Sequence, residues 1–152
     1  MSVQAGKHLA ICGRSGSGKT SLVLSILRMM EVHQGKIMLE GTETTQSSSR
    51  HSPSSNEIRS RLNVVPQDPF IIPGTSIRFN IDPFENATSD DDIIPALQRV
   101  GLWNHIKDNG GLDGGIDGLA LSTGQKQLLC FVRAMLRRKT SNILILDEVM
   151  SR

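Results

Sequence analysis

Short apolar runs alternating with helical spacings predict an α/β fold around a mostly parallel sheet, with a small helical subdomain inserted into it. Three observations carry that reading. Leu9-Ala10-Ile11-Cys12 and Ile143-Leu144-Ile145-Leu146 are four-residue apolar runs, as strands buried on both faces read. Leu22, Val23, Ile26, Leu27 and Met30 recur at helical spacing behind a glycine-rich turn. From Asp82 to about Leu121, β alternation is absent. At 152 residues the chain suggests one domain. Its 38% hydrophobic content makes a folded core feasible, with roughly two-thirds of the unfolded surface buried at this size.

The remaining elements follow in chain order. Lys36 to Leu39, between Gly35 and Gly41, reads as a short strand. Residues 42–56 are rich in Ser, Thr and Gln; too little apolar surface is available there to offset the entropy of ordering, so a mobile surface loop is expected. Leu62-Asn63-Val64-Val65 is a further strand, stopped by Pro66. Asp90-Asp91-Asp92 ahead of Ile93, Ile94, Leu97 and Val100 places acids at the positive end of a helix. With Asp92 as N-cap, Pro95 is the third helical residue and its missing N–H costs no internal bond; an earlier start requires a kink. Two glycine-rich turns follow at Asn109-Gly110-Gly111 and Asp113-Gly114-Gly115. Behind Ser122, the stripe Leu128, Leu129, Val132, Met135 and Leu136 predicts a helix with Arg137-Arg138-Lys139 at its negative end.

Charge and cysteine usage exclude several classes. A net charge of +2 gives little reason to expect nucleic acid as a partner. No run approaches the ~18 apolar residues of a membrane span, and residues 1–12 lack a signal-peptide pattern. Cys12 and Cys130 lie in apolar runs without metal-ligand spacing, consistent with reduced cytosolic thiols.

Two motifs carry chemistry. Gly13-Arg14-Ser15-Gly16-Ser17-Gly18-Lys19-Thr20 fits the phosphate-binding loop, G-x-x-x-x-G-K-[ST], between an expected strand and an expected helix. Its glycines let backbone amides curl around an anion and the helix N-terminus adds its dipole. Lys19 would meet the β- and γ-phosphates, and the Thr20 hydroxyl would ligate Mg²⁺. At the carboxyl end of the 143–146 run stand Asp147 and Glu148, where open α/β sheets place their chemistry. Asp147 is placed to hold Mg²⁺ through water, and Glu148 to orient or deprotonate an attacking water. Ser122 and Gln125 form S-x-x-Q, which reads equally as a helix capping box or as a second anion site at a helix N-terminus.

The phosphate loop, Leu121-Ser122-Thr123-Gly124-Gln125 and Leu146-Asp147-Glu148, in that order, resemble the nucleotide-binding domain of ATP-binding-cassette (ABC) proteins, a P-loop NTPase fold. The resemblance implies ATP and Mg²⁺ as cofactors. It implies that Ser122, Gly124 and Gln125 belong to the signature that contacts ATP held by a partner domain. Val65-Pro66-Gln67-Asp68-Pro69 then resembles the Q-loop, whose Gln67 would contact Mg²⁺ or the water and couple to the transmembrane domains. Pro73-Gly74-Thr75, the segment from Arg78 to Phe84, and Val100-Gly101-Leu102-Trp103 are similar to the second such domain of the multidrug-resistance-associated exporters, subfamily C. The implied organisation is a core of residues 1–81 and 126–152, a serine-rich loop at 42–56 and a helical, signature-bearing subdomain at 82–125. The implied partners are a second nucleotide-binding domain, head to tail around ATP, and the transmembrane domains of an exporter. The implied place is the cytoplasmic face of a membrane.

The sequence departs from that pattern in places. Thr123 stands where the commonest signature has Gly, and Val149-Met150-Ser151-Arg152 does not continue into the family's D-loop. No histidine follows Asp147 to serve as the switch residue, and His8, His33, His51 and His105 are expected at the surface. No aromatic residue precedes Gly13 to stack on adenine. Such a contact is worth about 1–3 kcal/mol, so its loss corresponds to roughly 5- to 150-fold in affinity. The expectation is therefore a domain incomplete at both termini. Its alternatives are a non-catalytic nucleotide-binding fragment and a soluble ABC protein acting on nucleic acid or ribosomes; the near-neutral charge speaks against the last.

Overall fold

The computed structural model describes residues 1–45, 53–83 and 89–147, which fall into two compact units divided after Arg59. The α/β class and the parallel strand pair are both present.

The first unit holds helix α1 (Lys19–Ile26) and a hairpin of β1 (Met38–Leu39) and β2 (Thr42–Glu43). The two hairpin residues Glu40 and Gly41 have φ of 50° and 80°, the mirror-image turn whose twist matches flanking strands. Thr44, buried, seals the hairpin by donating N–H and hydroxyl to the Ile37 carbonyl at 2.8 and 3.1 Å. The strand expected at Lys36–Leu39 is thus confined to its last two residues. The expected loop at 42–56 is ordered at both ends, and residues 46–52 lie outside the described residues. Its far end starts helix α2 (Ser55–Arg61). The cause is a capping box that composition concealed: Ser54 N–H donates to Glu57 Oε2 at 2.6 Å, and Glu57 N–H donates to Ser54 Oγ at 3.2 Å.

Two further expectations fail in this unit. Leu9–Cys12 is not a strand: among the described residues of its unit it finds no ladder partner, and Leu9 and Ile11 are exposed. The stripe expected to continue to Met30 ends early, because Arg28 turns left-handed at φ 52° and stops α1 after Ile26. Arg59 then serves the open carbonyl end of α1, donating to Leu27 O at 3.0 Å and Arg28 O at 3.3 Å.

The second unit is organised around helix α6 (Thr123–Leu136). One stripe of it, Leu129 and Val132, enters a core with α3 (Ile77–Ile81), α4 (Asp90–Arg99) and α5 (Trp103–Asp108). Two short 3₁₀ turns, Gly111–Asp113 and Ile116–Leu119, complete that core through Leu112, Ile116 and Leu119. Another stripe, Cys130 and Ala134, packs on Val65 of strand β3 (Leu62–Val65). Strand β3 coincides with its expected span. It pairs in parallel with β4 (Ile143–Leu146), Leu62 opposite Ile143 and Val65 opposite Leu146.

Helix α4 starts earlier than expected. Ser89, not Asp92, is the N-cap, so Pro95 stands sixth in the helix and leaves the Asp91 carbonyl without that donor. Three acids in the first turn favour the longer helix through its dipole. Its end is regular: Gly101, at φ 73°, donates to Gln98 O and Leu102 to Leu97 O, a Schellman pair. Strand β4 also differs from a doubly buried run. Leu144 and Leu146 are 55% and 53% exposed, because side chains alternate across a strand and only one face of β4 is covered. His8, His33 and His105 are exposed, and His51 lies outside the described residues.

Candidate nucleotide-binding site

Glycines shape the loop before α1. Gly16 and Gly18 take φ of 79° and 90°, conformations in which a side chain is strained. A Cβ on Gly13 would stand 2.5 Å from Ser17 Oγ, so the Ser17 hydroxyl would have to turn away to admit it. The turn is closed by Ser17 N–H donating to Arg14 O at 3.1 Å. No side chain caps α1, so amides of its first turn remain available to an anion. Lys19 folds back across the loop, its ammonium donating to Gly13 O at 2.8 Å and Arg14 O at 3.2 Å. A cation thus stands over a ring of backbone dipoles. Gly13 to Gly18 and Thr20 are all exposed.

The other residues singled out in the sequence lie in the second unit, a compact body of its own. Because β3 and β4 run parallel, their carboxyl ends emerge together, and Asp147 N–H extends the ladder to Val65 O at 3.1 Å. Gln67, two residues past Val65, and Asp147 therefore leave the sheet at one end. Gln67 is exposed and Asp147 is half-buried. Glu148 lies outside the described residues.

At the N-terminus of α6 the capping box is formed in both directions. Ser122 N–H donates to Gln125 Oε1 at 2.9 Å, and Gln125 N–H donates to Ser122 Oγ at 3.2 Å. Ser122, Thr123 and Gly124 remain exposed at an open helix end. Beside Gln67, a groove of about 850 Å³ opens, lined by Pro66, Phe70, Ile72, Pro83, Arg133 and Met135 among others.

Sequence reasoning passed over Asn63, Asn80 and Arg133. Asn63 and Asn80 are buried polar residues, and Asn80 alone holds four contacts to residues 72–76. The signal was a polar residue inside an otherwise apolar pattern, which a buried site tolerates only with a partner.

A lysine-topped glycine loop at a helix start, with a parallel strand ending in an acid, defines a P-loop nucleotide-binding protein of the α/β class. Residues 1–151 match the family model for ABC transporters, and the chain belongs to that family as an ATP-binding domain. It is 48% identical over 149 residues to the ABC transporter ecdL of Aspergillus rugulosus, covering 98% of this chain and 9% of that transporter. It is 43% identical over 151 residues to the ABC multidrug transporter B of Aspergillus fumigatus, covering 99% of this chain and 10% of the relative. With the ABC transporter C family member 2 of Dictyostelium discoideum it shares 40% over 152 residues, 98% of this chain and 10% of the relative. The chain spans about a tenth of the length of the curated relatives it matches. No helix among the described residues is long and apolar enough to cross a membrane.

Proposed function

We propose that this chain binds Mg-ATP and, with partner domains, hydrolyses it to drive export by an ABC transporter of the subfamily C type, as the second nucleotide-binding domain. The observation that carries the proposal is Lys19 held over the Gly13–Gly18 loop by the Gly13 and Arg14 carbonyls. When a polyphosphate enters, the ammonium exchanges these neutral acceptors for charged oxygens, a stronger hydrogen bond. The amides of the α1 first turn complete the cradle.

Thr20, Gln67 and Asp147 offer a hydroxyl, an amide carbonyl and a carboxylate. These are hard oxygen donors that suit Mg²⁺, which keeps several waters and takes few protein ligands. Such an ion would neutralise charge on the β- and γ-phosphates. Asp147 would hold it through water, and Gln67 would position the attacking water for Glu148 to orient and deprotonate. The emergence of Gln67 and Asp147 at one sheet end supports this division of labour.

The signature reading rests on the exposed end of α6. Ser122 stands eight residues ahead of Cys130, where α6 meets Val65, or about 12 Å along the helix axis. That projection suits contact with ATP on a second nucleotide-binding domain, head to tail. Gln125 acts there by holding Ser122 in its cap. The groove beside Gln67, with Phe70 65% exposed at its rim, suits a transmembrane partner and a place at the cytoplasmic face of its membrane.

The test is Mg-ATP binding and phosphate release by the purified protein beside Lys19→Ala and Glu148→Gln. At 100 times its Kd, ATP should stabilise the native state by about 2.7 kcal/mol, and Lys19→Ala should abolish that gain. Glu148→Gln should retain binding and lose phosphate release. Absence of any thermal shift at saturating Mg-ATP overturns the proposal; binding without turnover in the unmodified protein supports a non-catalytic domain instead.

A further inference from the structure

Arg133 is a cation in an unusual setting. It stands in α6 between the two apolar stripes, and among the described residues its hydrogen-bond partners include no carboxylate. Its Nη1 donates to the Phe70 carbonyl at 2.6 Å and contacts Cys130 Sγ at 3.7 Å. Its Nε donates to the Asn80 carbonyl, and its Nη2 donates to Asn80 Oδ1 at 3.1 Å. The guanidinium fork therefore joins two separate stretches of chain at once, a geometry a lysine cannot reproduce. Burial draws its pKa down, yet arginine remains charged.

Asn80 is fully buried and carries the connection onward. Its Oδ1 accepts from Ile72 N–H at 2.8 Å, and its Nδ2 donates to Ile72 O, Thr75 Oγ1 and Ser76 O at 3.0, 2.8 and 3.1 Å. The same segment is pinned at its far side. Gly74 N–H donates to Asp117 Oδ2 at 2.7 Å, and Ser76 forms a β-bridge with Gly115, six residues before the signature starts at Leu121. Residues 70–76 begin three positions after Gln67. They are thus tied at one end to the last turn of α6 and at the other to the turn that leads into its N-terminus.

We infer that Arg133 and Asn80 are a positioning pair that locks residues 70–76 onto the signature helix, so that the segment leaving Gln67 and the Ser122 end of α6 move as one body. The inference rests on the roles proposed above for Gln67 and Ser122. Asn80 is fully buried and the Arg133 guanidinium is engaged by Phe70 and Asn80, so the pair is given a positioning role and not one in binding nucleotide. Arg133 and Asn80 act by keeping two nucleotide-sensing elements in fixed relation when ATP or a partner displaces either of them. A packed link hydrogen-bonded to both stretches of chain has few alternative arrangements, which is what rigid transmission requires.

The test combines amide hydrogen exchange with ATPase kinetics on the intact protein, using Arg133→Ala and Arg133→Lys. In Arg133→Ala, exchange over residues 70–76 should rise about tenfold while β3 stays within about twofold of the parent. The kcat should fall about tenfold, with KM for ATP changed less than about twofold, since the lost group positions the machinery and binds no substrate. Arg133→Lys keeps the charge but cannot serve Phe70 and Asn80 together, so it should restore neither readout. Full recovery in the lysine variant, an unchanged kcat, or faster exchange spread evenly over β3 and α6 would each overturn the inference. Should the alanine variant fail to fold, the unmodified protein decides alone: the Ile72 amide must be protected to the level of the Leu129 amide, and exchange at the rate of an open loop refutes the lock. A protein that binds no ATP would defeat the functional reading while leaving this exchange pattern to be measured.

Discussion

Asn63 Nδ2 donates to the Ala134 carbonyl at 2.7 Å across the buried junction of β3 and α6. Ala134 is among the last four residues of that helix, whose carbonyls have no intrahelical donor of the usual kind. A strand residue therefore caps the helix that carries the signature. Asn63→Ala removes the donor and leaves a buried acceptor unpaired, at a cost of about 1–3 kcal/mol. Asn63→Asp should cost more, because a carboxylate would face a carbonyl in a buried site. Urea unfolding followed by the fluorescence of Trp103, half-buried against the helical core of the same unit, measures both.

Gly18 precedes Lys19 at φ 90°. Placing Ala there costs about 1–2 kcal/mol in backbone strain, although no atom lies within 4 Å of the added Cβ. Relief of that strain rotates the first amides of α1. The expected outcome for Gly18→Ala is weaker Mg-ATP binding with little change in the thermal stability of the second unit. Titration calorimetry beside a melting curve separates the two effects.

Arg78 joins two acids, Asp90 Oδ1 at 2.6 Å and Asp113 Oδ1 at 2.9 Å. The hydrogen bond from Arg78 holds the Asp90 carboxyl below its ordinary range. Its contribution is therefore complete above about pH 4, the unfolded value, and is lost as pH falls through the lower folded value. Asp90→Asn should melt below the parent at neutral pH, and the two curves should converge on acidification. Added salt should also narrow the gap, since the pair is solvent-exposed.

Thiol chemistry should distinguish the two cysteines. Cys12 is exposed and Cys130 is buried. Burial pushes the Cys130 thiol up, opposed in part by the nearby Arg133 cation. The thiolate is the reactive form, so a maleimide should label Cys12 in the native protein and reach Cys130 only after unfolding. Mass spectrometry of the labelled peptides reads the result. Rapid native labelling of Cys130 would show that the α6–β3 junction opens readily.

Much of the chemistry was legible in local order. The run from Gly13 to Thr20 contains its own glycines, its own lysine and the start of its own helix, so its loop forms from neighbours in sequence. The capping box at Ser122 and Gln125 spans three residues and is visible without any partner. Strand β3 is bounded by Pro66, a local stop signal. The failures share a cause as well. Leu9–Cys12 is apolar and short, but a strand exists only where another strand receives its hydrogen bonds. The start of α4 turned on whether three acids and Ser89 outweigh one proline inside the helix, a balance no spacing reveals.

The sequence by itself determined the class of site: the glycine loop, the lysine, the acid at a strand end, and the order in which they occur. Tertiary structure decided which residues act together. Gln67 and Asp147 lie eighty residues apart and leave the sheet at the same end because two strands pair in parallel with one register. Arg133, a cation between the two apolar stripes of α6, becomes the tie between Phe70 and Asn80 only when α6 is packed against both. Hydrogen bonds between distant segments depend on which surfaces are buried against each other, and that choice is made by the whole core rather than by any window of residues.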